Sequence, residues 1–321
     1  MPESADRRQL ANLLMLVTAT CWAGNIVAGK EALTGFPPLA LAQVRVIAAA
    51  AIFAALASLR RGAFHLPAAR RHRVTIALSA LTGVTLNQLL FIGGLARTSA
   101  LHAGLVVGLG PVIVLLLSAV RRHERITLWK LCGIGTAFLG MALLLFERVG
   151  QSGQAGWLGD LIVLSGSTAF AFYTILVKEI SGIYDDLTMN AAIFVLGALL
   201  MLPLGTGATL AISWRGIPAR AWLGLAFMAI CGSVIGYVIY GFALRHLPAS
   251  RVAAFTYLQP VITAALAVWL VNESVTALEV FGGVLIISGM YLTRERPSLD
   301  RAAPVGMESI PKPLALDSRE R

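Results

Sequence analysis

The feature that most limits what this chain can become is a succession of ten apolar stretches, at roughly 9–29, 39–58, 75–96, 99–119, 127–147, 157–177, 187–208, 221–243, 249–271 and 274–294. A helix rises about 1.5 Å per residue, so about 20 apolar residues cross the hydrocarbon core of a bilayer. In lipid each backbone N–H and C=O needs a partner within the protein, and continuous apolar runs of this length meet that demand as helices. Composition agrees: 57% of the 321 residues are hydrophobic and 13% are charged, with a mean hydropathy of +0.78, which leaves too little polar surface for a separate soluble domain. The expected fold is therefore all-α and integral to the membrane, with ten transmembrane helices.

The net charge of +10 raises the question of nucleic acid, but the basic residues sit in short loops between apolar runs and no binding motif accompanies them. Membrane topology explains them. With the amino terminus in the cytoplasm, the inward-facing segments hold Arg7, Arg8, Arg60, Arg61, Arg70, Arg71, Arg73, Arg121, Arg122, Arg125, Lys178, Arg245, Arg251 and the basic tail; the outward-facing ones hold only Lys30, Arg97, Arg148, Arg215 and Arg220. The positive-inside rule then places both termini in the cytoplasm of a cell whose inner membrane carries the protein. The first stretch is too long for a secretory leader and runs through Trp22, Gly24 and Asn25 to Lys30 without a small-residue cleavage site. The tail 295–321 is rich in charge and proline and is expected to be a disordered cytoplasmic extension. Cys21, Cys132 and Cys231 lie inside apolar runs with no paired spacing and read as small packing residues.

Residues 80–141 lie without a gap on 229–290 at a constant offset of 149. Ala80 meets Ala229, Gly83 meets Gly232, Leu95 meets Leu244, Pro111 meets Pro260, Glu124 meets Glu273, Thr127 meets Thr276, Gly133 meets Gly282, and Gly140-Met141 meets Gly289-Met290. At offset 148, Lys30-Glu31 meets Lys178-Glu179 and Leu39 meets Leu187. Matches of Ala, Gly and Leu are common in membrane helices, whereas the proline, the glutamate and the glycine spacing are not. Two repeats, 9–147 and 157–294, follow, each with five spans. Five is odd, so the second repeat enters the membrane from the opposite side and the halves are inverted. Carriers built this way hold substrate near the midplane between the halves and expose it to each side in turn.

With the Trp22-Ala-Gly-Asn25 run, Arg45 in the second span, the mid-span prolines Pro111 and Pro260, and the Glu-x-[Ile/Val]-Thr sequences at Glu124 and Glu273, the chain resembles EamA-type members of the drug/metabolite transporter superfamily. The resemblance covers about 9–294. It implies a ten-span carrier with cytoplasmic termini, in many members an exporter of amino acids or related metabolites and in some an importer of vitamins or nucleosides of the riboflavin or nucleobase kind. No cofactor or metal is implied.

The candidate substrate residues are Trp22, Asn25, Arg45, Asn87, Gln88, Tyr173, Tyr237, Tyr240, Tyr257 and Gln259, with Pro111 and Pro260 as candidate hinges. Each has a plainer reading. Arg45 lies about six residues, or roughly 9 Å, into its span, so it faces either a helix partner or a water-filled cavity where it attracts a carboxylate. The amides of Asn25, Asn87, Gln88 and Asn190 bind substrate or tie helices together. The tyrosines line a cavity or pack. The prolines bend their helices as hinges or as fixed kinks, and Gln259 can reach the carbonyl that Pro260 leaves free. Glu124 and Glu273 are expected to cap the helices that follow them.

No HExxH, GxSxG or Walker A glycine loop is present and the five histidines are not clustered, so an enzyme or ATPase is not expected. None of the 16 acidic residues falls at the centre of a span; Asp160 and Glu279, a turn or so from span ends, come nearest, and the sequence offers no support for proton coupling. The expected partners are a small-molecule substrate and the lipid bilayer, with no nucleic acid and with pairing of two copies left open. Direction and substrate are not written in the fold, and a scaffold or membrane enzyme stands as the remote alternative.

Overall fold

The computed structural model describes residues 2–59, 70–120, 127–150, 156–271 and 275–293. Among these residues the chain forms ten helical rods: α1 Pro2–Ala32, α2 Pro38–Leu59, α3 Arg70–Leu95, α4 Ala100–Val120, α5 Leu128–Gly150, α6 Gly156–Ile180, α7 Asp186–Leu210, α8 Ala219–His246, α9 Ala249–Leu270 and α10 Ala277–Thr293. Each coincides with one of the ten apolar stretches. Eight carry a membrane-length apolar run; α5 and α10 carry shorter ones, Leu128–Leu143 and Ala277–Gly289. The protein is an all-α integral membrane fold. Glu124, Glu273, the loop residues Arg60, Arg61, Arg121, Arg122 and Arg125, and the tail 295–321 lie outside the described residues.

Local sequence sets the helix ends. Ser99 precedes α4 and its hydroxyl accepts from the His102 N–H at 3.1 Å, while the Asp185 carboxylate accepts from the Thr188 N–H at 3.2 Å at the start of α7. The connection from α6 to α7 turns on Gly182, whose φ of +83° is a left-handed conformation that a side chain would oppose.

Packing follows the repeat. Helices α2 and α7, α4 and α9, and α5 and α10 pair with one another, and α1 packs on α8 as α6 packs on α3. When each helix is exchanged for its counterpart five places on, every one of these pairs maps onto itself or onto another of them, as an approximate two-fold requires.

Irregularities of the backbone are copied as well. A π-helical segment, Ala80–Leu86, interrupts α3, and another, Met228–Ile235, interrupts α8; the offset of 149 lays 80–86 on 229–235. Helix α4 breaks at Gly108 and Leu109, and α9 tightens into a 3₁₀ turn at Phe255–Tyr257. Pro111 and Pro260 stand just after these breaks, in the opening turn of the resumed helix, where the N–H that proline lacks has no partner to lose. The two breaks touch, since a side chain at Gly108 would press into the Pro260 ring. Cys21 and Cys231 stand beside each other between α1 and α8 as free thiols.

Helix α5 meets α10 through small residues on both sides, and in lipid such close backbone approach is the main source of association. A Cβ on Gly140 would come within 2.6 Å of the Gly282 carbonyl oxygen and 2.9 Å of the Ile286 nitrogen. Gly140→Leu is therefore expected to lower the thermal midpoint in detergent by roughly 3 °C or more, the scale of an overpacked core. Gly135→Leu, on the open face of the same helix with nothing within 4 Å, is the control and is expected to leave it unchanged; equal midpoints for the two variants would refute the packing assignment.

Candidate substrate cavity

The two π-helical segments create the site. A π turn shifts the hydrogen-bond ladder and leaves a carbonyl to be satisfied from outside the helix. The Tyr237 hydroxyl of α8 donates to the Gly83 carbonyl of α3 at 2.7 Å, and the Trp22 indole N–H of α1 donates to the Gly232 carbonyl of α8 at 2.9 Å. Both acceptors are glycines because their neighbours come too close for a side chain: a Cβ on Gly83 would overlap the Tyr173 ring, and one on Gly232 would overlap the Asn25 amide and press on the Arg45 guanidinium.

Between the halves these side chains enclose a cavity with about 90 Å³ of space that a water centre can reach, room for a small solute. Its wall takes Trp22 and Asn25 from α1, Arg45 from α2, Asn87, Gln88 and Phe91 from α3, Pro111 from α4, Ser167 and Phe170 from α6, Tyr237 and Tyr240 from α8, and Thr256 and Gln259 from α9. The aromatics touch one another. Trp22 meets Phe170 edge-on at 5.3 Å and Tyr240 at 5.1 Å, and Phe170 meets Tyr237 at 5.9 Å, separations at which aromatic pairs attract. The Tyr240 hydroxyl is fixed by Thr174 Oγ1 at 2.9 Å.

Arg45 faces both a helix partner and the cavity. Its Nε donates to the Ser233 hydroxyl at 3.1 Å and ties α2 to α8, while its Nη1 is buried without a protein partner. Asn25 Oδ1, Gln88 Oε1 and Gln259 Nε2 are likewise buried and unpartnered. Among the described residues no carboxylate pairs with Arg45. An arginine at this depth costs about 3 kcal/mol even on the more lenient insertion scales. A buried, unpartnered donor of this kind is where water or an anionic group would offset that cost.

Of the ten predicted substrate residues the structure gathers eight at the cavity: Trp22, Asn25, Arg45, Asn87, Gln88, Tyr237, Tyr240 and Gln259. Asn87 also donates to the Gly166 carbonyl at 3.0 Å, and Asn190 lies away from the cavity, donating to the Asp186 carbonyl at 2.8 Å. Tyr173 and Tyr257 are not among the residues that line it. Tyr173 is fully buried in the groove left by Gly83, behind Phe170 and Tyr237. On α9 the lining face carries Ala253, Thr256 and Gln259 at three-residue spacing, set by the 3₁₀ turn, and Tyr257 stands one place off it. Pro111 lines the cavity, whereas Pro260 is buried against Gly108.

Phe91, Ser167, Phe170 and Thr256 were not anticipated, and the repeat could have found two of them. Offset 148 sets Phe170 on Trp22, and offset 149 sets Phe91 on Tyr240. The same arithmetic pairs Gln88 with Tyr237 and Gly110 with Gln259, all four of them at the wall.

A polar, aromatic-walled cavity at the seam of two inverted five-helix halves is the construction of a membrane transporter, and no catalytic set accompanies it among the described residues. The EamA-like transporter family profile matches twice, at residues 9–146 and 157–294, and the chain belongs to that family. It is 28% identical to an uncharacterized transporter of Archaeoglobus fulgidus, over 88% of this chain and 96% of that protein. It is also 28% identical to a probable terminal-alkyne amino-acid exporter of Streptantibioticus cattleyicolor (88% and 92% covered) and 26% identical to a probable amino-acid metabolite efflux pump of Escherichia coli (87% and 93% covered). A solved crystal structure, 17% identical, shares the fold with a TM-score of 0.66 over 89% of this chain and 97% of its own. The protein is a multi-pass membrane transporter of small molecules rather than an enzyme.

Trp22→Phe and Tyr237→Phe each keep an aromatic ring and delete the donor to a π-turn carbonyl. Each is expected to cost about 1–3 kcal/mol, the penalty of a buried acceptor left bare, and to lower the thermal midpoint of the purified protein. Unchanged midpoints would show that these carbonyls find other donors.

Proposed function

We propose that this transporter exports amino acids or closely related zwitterions from the cytoplasm. The observation that carries the reading is the unpaired, buried Nη1 of Arg45 in an aromatic-walled cavity between the halves. A substrate carboxylate satisfies the guanidinium by a charge-assisted hydrogen bond. Asn25 Oδ1 and Gln88 Oε1 supply acceptors for an ammonium group, Gln259 Nε2 supplies a further donor, and the ring faces of Trp22, Phe170 and Tyr240 receive an apolar or aromatic side chain. The relatives described as amino-acid exporters and efflux pumps support this substrate class.

The charge distribution of the loops supports cytoplasmic termini and an inner-membrane location. Two inverted halves rocking about the shared cavity give alternating access, with the paired breaks around Gly108 and Pro260 as the bending points. Import of a vitamin or nucleobase-like ring compound draws on the same aromatic walls. The bare guanidinium nitrogen favours a carboxylate instead.

Proteoliposomes carrying the protein, challenged with the common amino acids and with riboflavin and nucleobases, test the reading. Saturable counterflow of one or more amino acids is expected, falling at least about tenfold in Arg45→Gln and in Tyr240→Ala with the variants still monodisperse in detergent. Selective flux of ring compounds without a carboxylate, or flux indifferent to Arg45→Gln, would reject the amino-acid assignment. Metabolite accumulation in medium that tracks the amount of protein fixes the direction as export.

A further inference from the structure

The cavity leaves untouched a second set of buried ionisable groups. Where α4, α6 and α10 begin, His102 is fully buried between two carboxylates. Its Nδ1 lies 2.9 Å from Asp160 Oδ2 and its Nε2 lies 2.9 Å from Glu279 Oε1. The other carboxylate oxygens are occupied too: the Thr98 hydroxyl donates to Asp160 Oδ1, and the Thr276 N–H donates to Glu279 Oε2 at 2.8 Å. Distance along the chain hid this cluster, which joins positions 58 and 177 residues apart.

A neutral imidazole has one N–H, so its second nitrogen would turn a lone pair towards a carboxylate oxygen. Two contacts at hydrogen-bond length need two shared protons. Either the ring is an imidazolium between two carboxylates, or it is neutral with one carboxyl protonated; both arrangements contain the same exchangeable proton. When that proton leaves to water as H⁺, one N–H remains for two anions, and one of the two joints, α4 to α6 or α4 to α10, loses its hydrogen bond. Among the described residues, the other charged groups at this end are Lys30, Glu31, Arg97, Arg215 and Arg220, all more exposed than the trio. The Arg97 guanidinium donates to the Gly93 carbonyl at 2.6 Å, and Arg220 pairs with Glu31 at 3.9 Å. Among the described residues no group of three or more His, Cys, Asp and Glu is placed to hold a metal ion.

The trio is near enough to the cavity to govern it. On α4, His102 is five residues, about 7.5 Å, from Val107 of the cavity wall; on α6, Asp160 is two turns, about 10 Å, from Ser167. We propose that Asp160, His102 and Glu279 form a proton-binding site that couples this carrier's cycle to protonation. One proton locks α4 to both α6 and α10, and its release lets this end of the bundle open. The coupling rests on the transport reading of the cavity; the proton site itself rests on the geometry of the trio.

Three measurements on the full chain separate the two. Histidine-selective ¹⁵N NMR in lipid nanodiscs, with His102→Gln to assign the signal, is expected to show both ring nitrogens of His102 protonated at about pH 7.5, and one bare in Glu279→Gln. A neutral ring in the wild-type chain, with neither carboxyl protonated by infrared difference spectroscopy, overturns the site. Hydrogen exchange in the first turns of α4 and α6, corrected for its intrinsic pH dependence, reads the lock without substrate. It is expected to be about tenfold faster at about pH 9 than at about pH 6.5 in the wild type and pH-insensitive in His102→Gln; equal wild-type rates overturn the lock. In proteoliposomes, with L-phenylalanine and L-threonine as probes, a gradient of about two pH units is expected to drive roughly tenfold accumulation or more, lost in Glu279→Gln while exchange above the protein-free level persists. Wild-type exchange indifferent to the gradient overturns the coupling and leaves the amino-acid reading standing. Absence of exchange for either probe counts against that reading, and the NMR and hydrogen-exchange results then decide the proton site by themselves.

Discussion

In hydrocarbon no backbone polar group can turn to water, and the architecture follows from that demand. Eight of the ten rods carry a membrane-length run of apolar helix, and departures from regularity are tolerated only where protein supplies the missing partner. The π turns at Ala80–Leu86 and Met228–Ile235 are such places. Each releases a carbonyl, and each carbonyl draws an aromatic donor across from another helix, Tyr237 to Gly83 and Trp22 to Gly232. Two of the cavity's largest side chains are thus held by the defects that make room for them. Loss of regularity in the helix becomes order at the site.

Symmetry and its violation divide the labour. The wall is paired by the repeat at Trp22 and Phe170, Gln88 and Tyr237, Phe91 and Tyr240, Gly110 and Gln259. An approximately symmetric wall offers similar surfaces to a solute approached from either side, which is what an alternating-access carrier needs. The charged chemistry is not paired. Arg45 has Ile193 at its repeat position, Asn25 has Tyr173, and Asn87 has Gly236. On the amino-acid reading proposed above, a single cation on one flank gives the solute one orientation in the cavity. The paired positions build both flanks of the wall, and Arg45, Asn25 and Asn87 make those flanks chemically different.

What could be read from the sequence follows the same division. Ten spans, the inverted halves and the placement of Arg45 and the amides were legible because hydropathy, repeat and intramembrane charge are local signals. Tyr257 falls off the lining face because the 3₁₀ turn at Phe255–Tyr257 changes the period from which that face is counted. Tyr173 packs away from the cavity because the space that receives it belongs to Gly83 on another helix. Phe170 stands on Trp22 at the offset of 148 as a match of aromatic character rather than of identity, a weaker signal than Lys178-Glu179 on Lys30-Glu31. The His102 cluster was invisible for a different reason: Thr98 and His102, Asp160, and Glu279 come from three separate stretches of the chain, and only packing brings them together.

The position of that cluster gives α4 a particular mechanical place in the molecule. Its first turn is held by His102 to α6 and α10, its middle is broken at Gly108 and Leu109 against Pro260 of α9, and the residues around the break face the cavity. A continuous helix would transmit a change at one end to the whole rod. A broken one lets the segment before the break move while the segment from Gly110 onward stays with its neighbours. The break in α9 is the repeat counterpart, but its first turn carries Arg251 where α4 carries His102, and Arg251 is exposed. Among the described residues the two ends of the bundle are therefore held differently, one by a buried hydrogen-bonded trio and the other with exposed Arg251 at the position of His102. In a carrier the gradients set the direction of net flux, and a proton-binding trio at one end only, as proposed above, is where a proton gradient would enter the cycle.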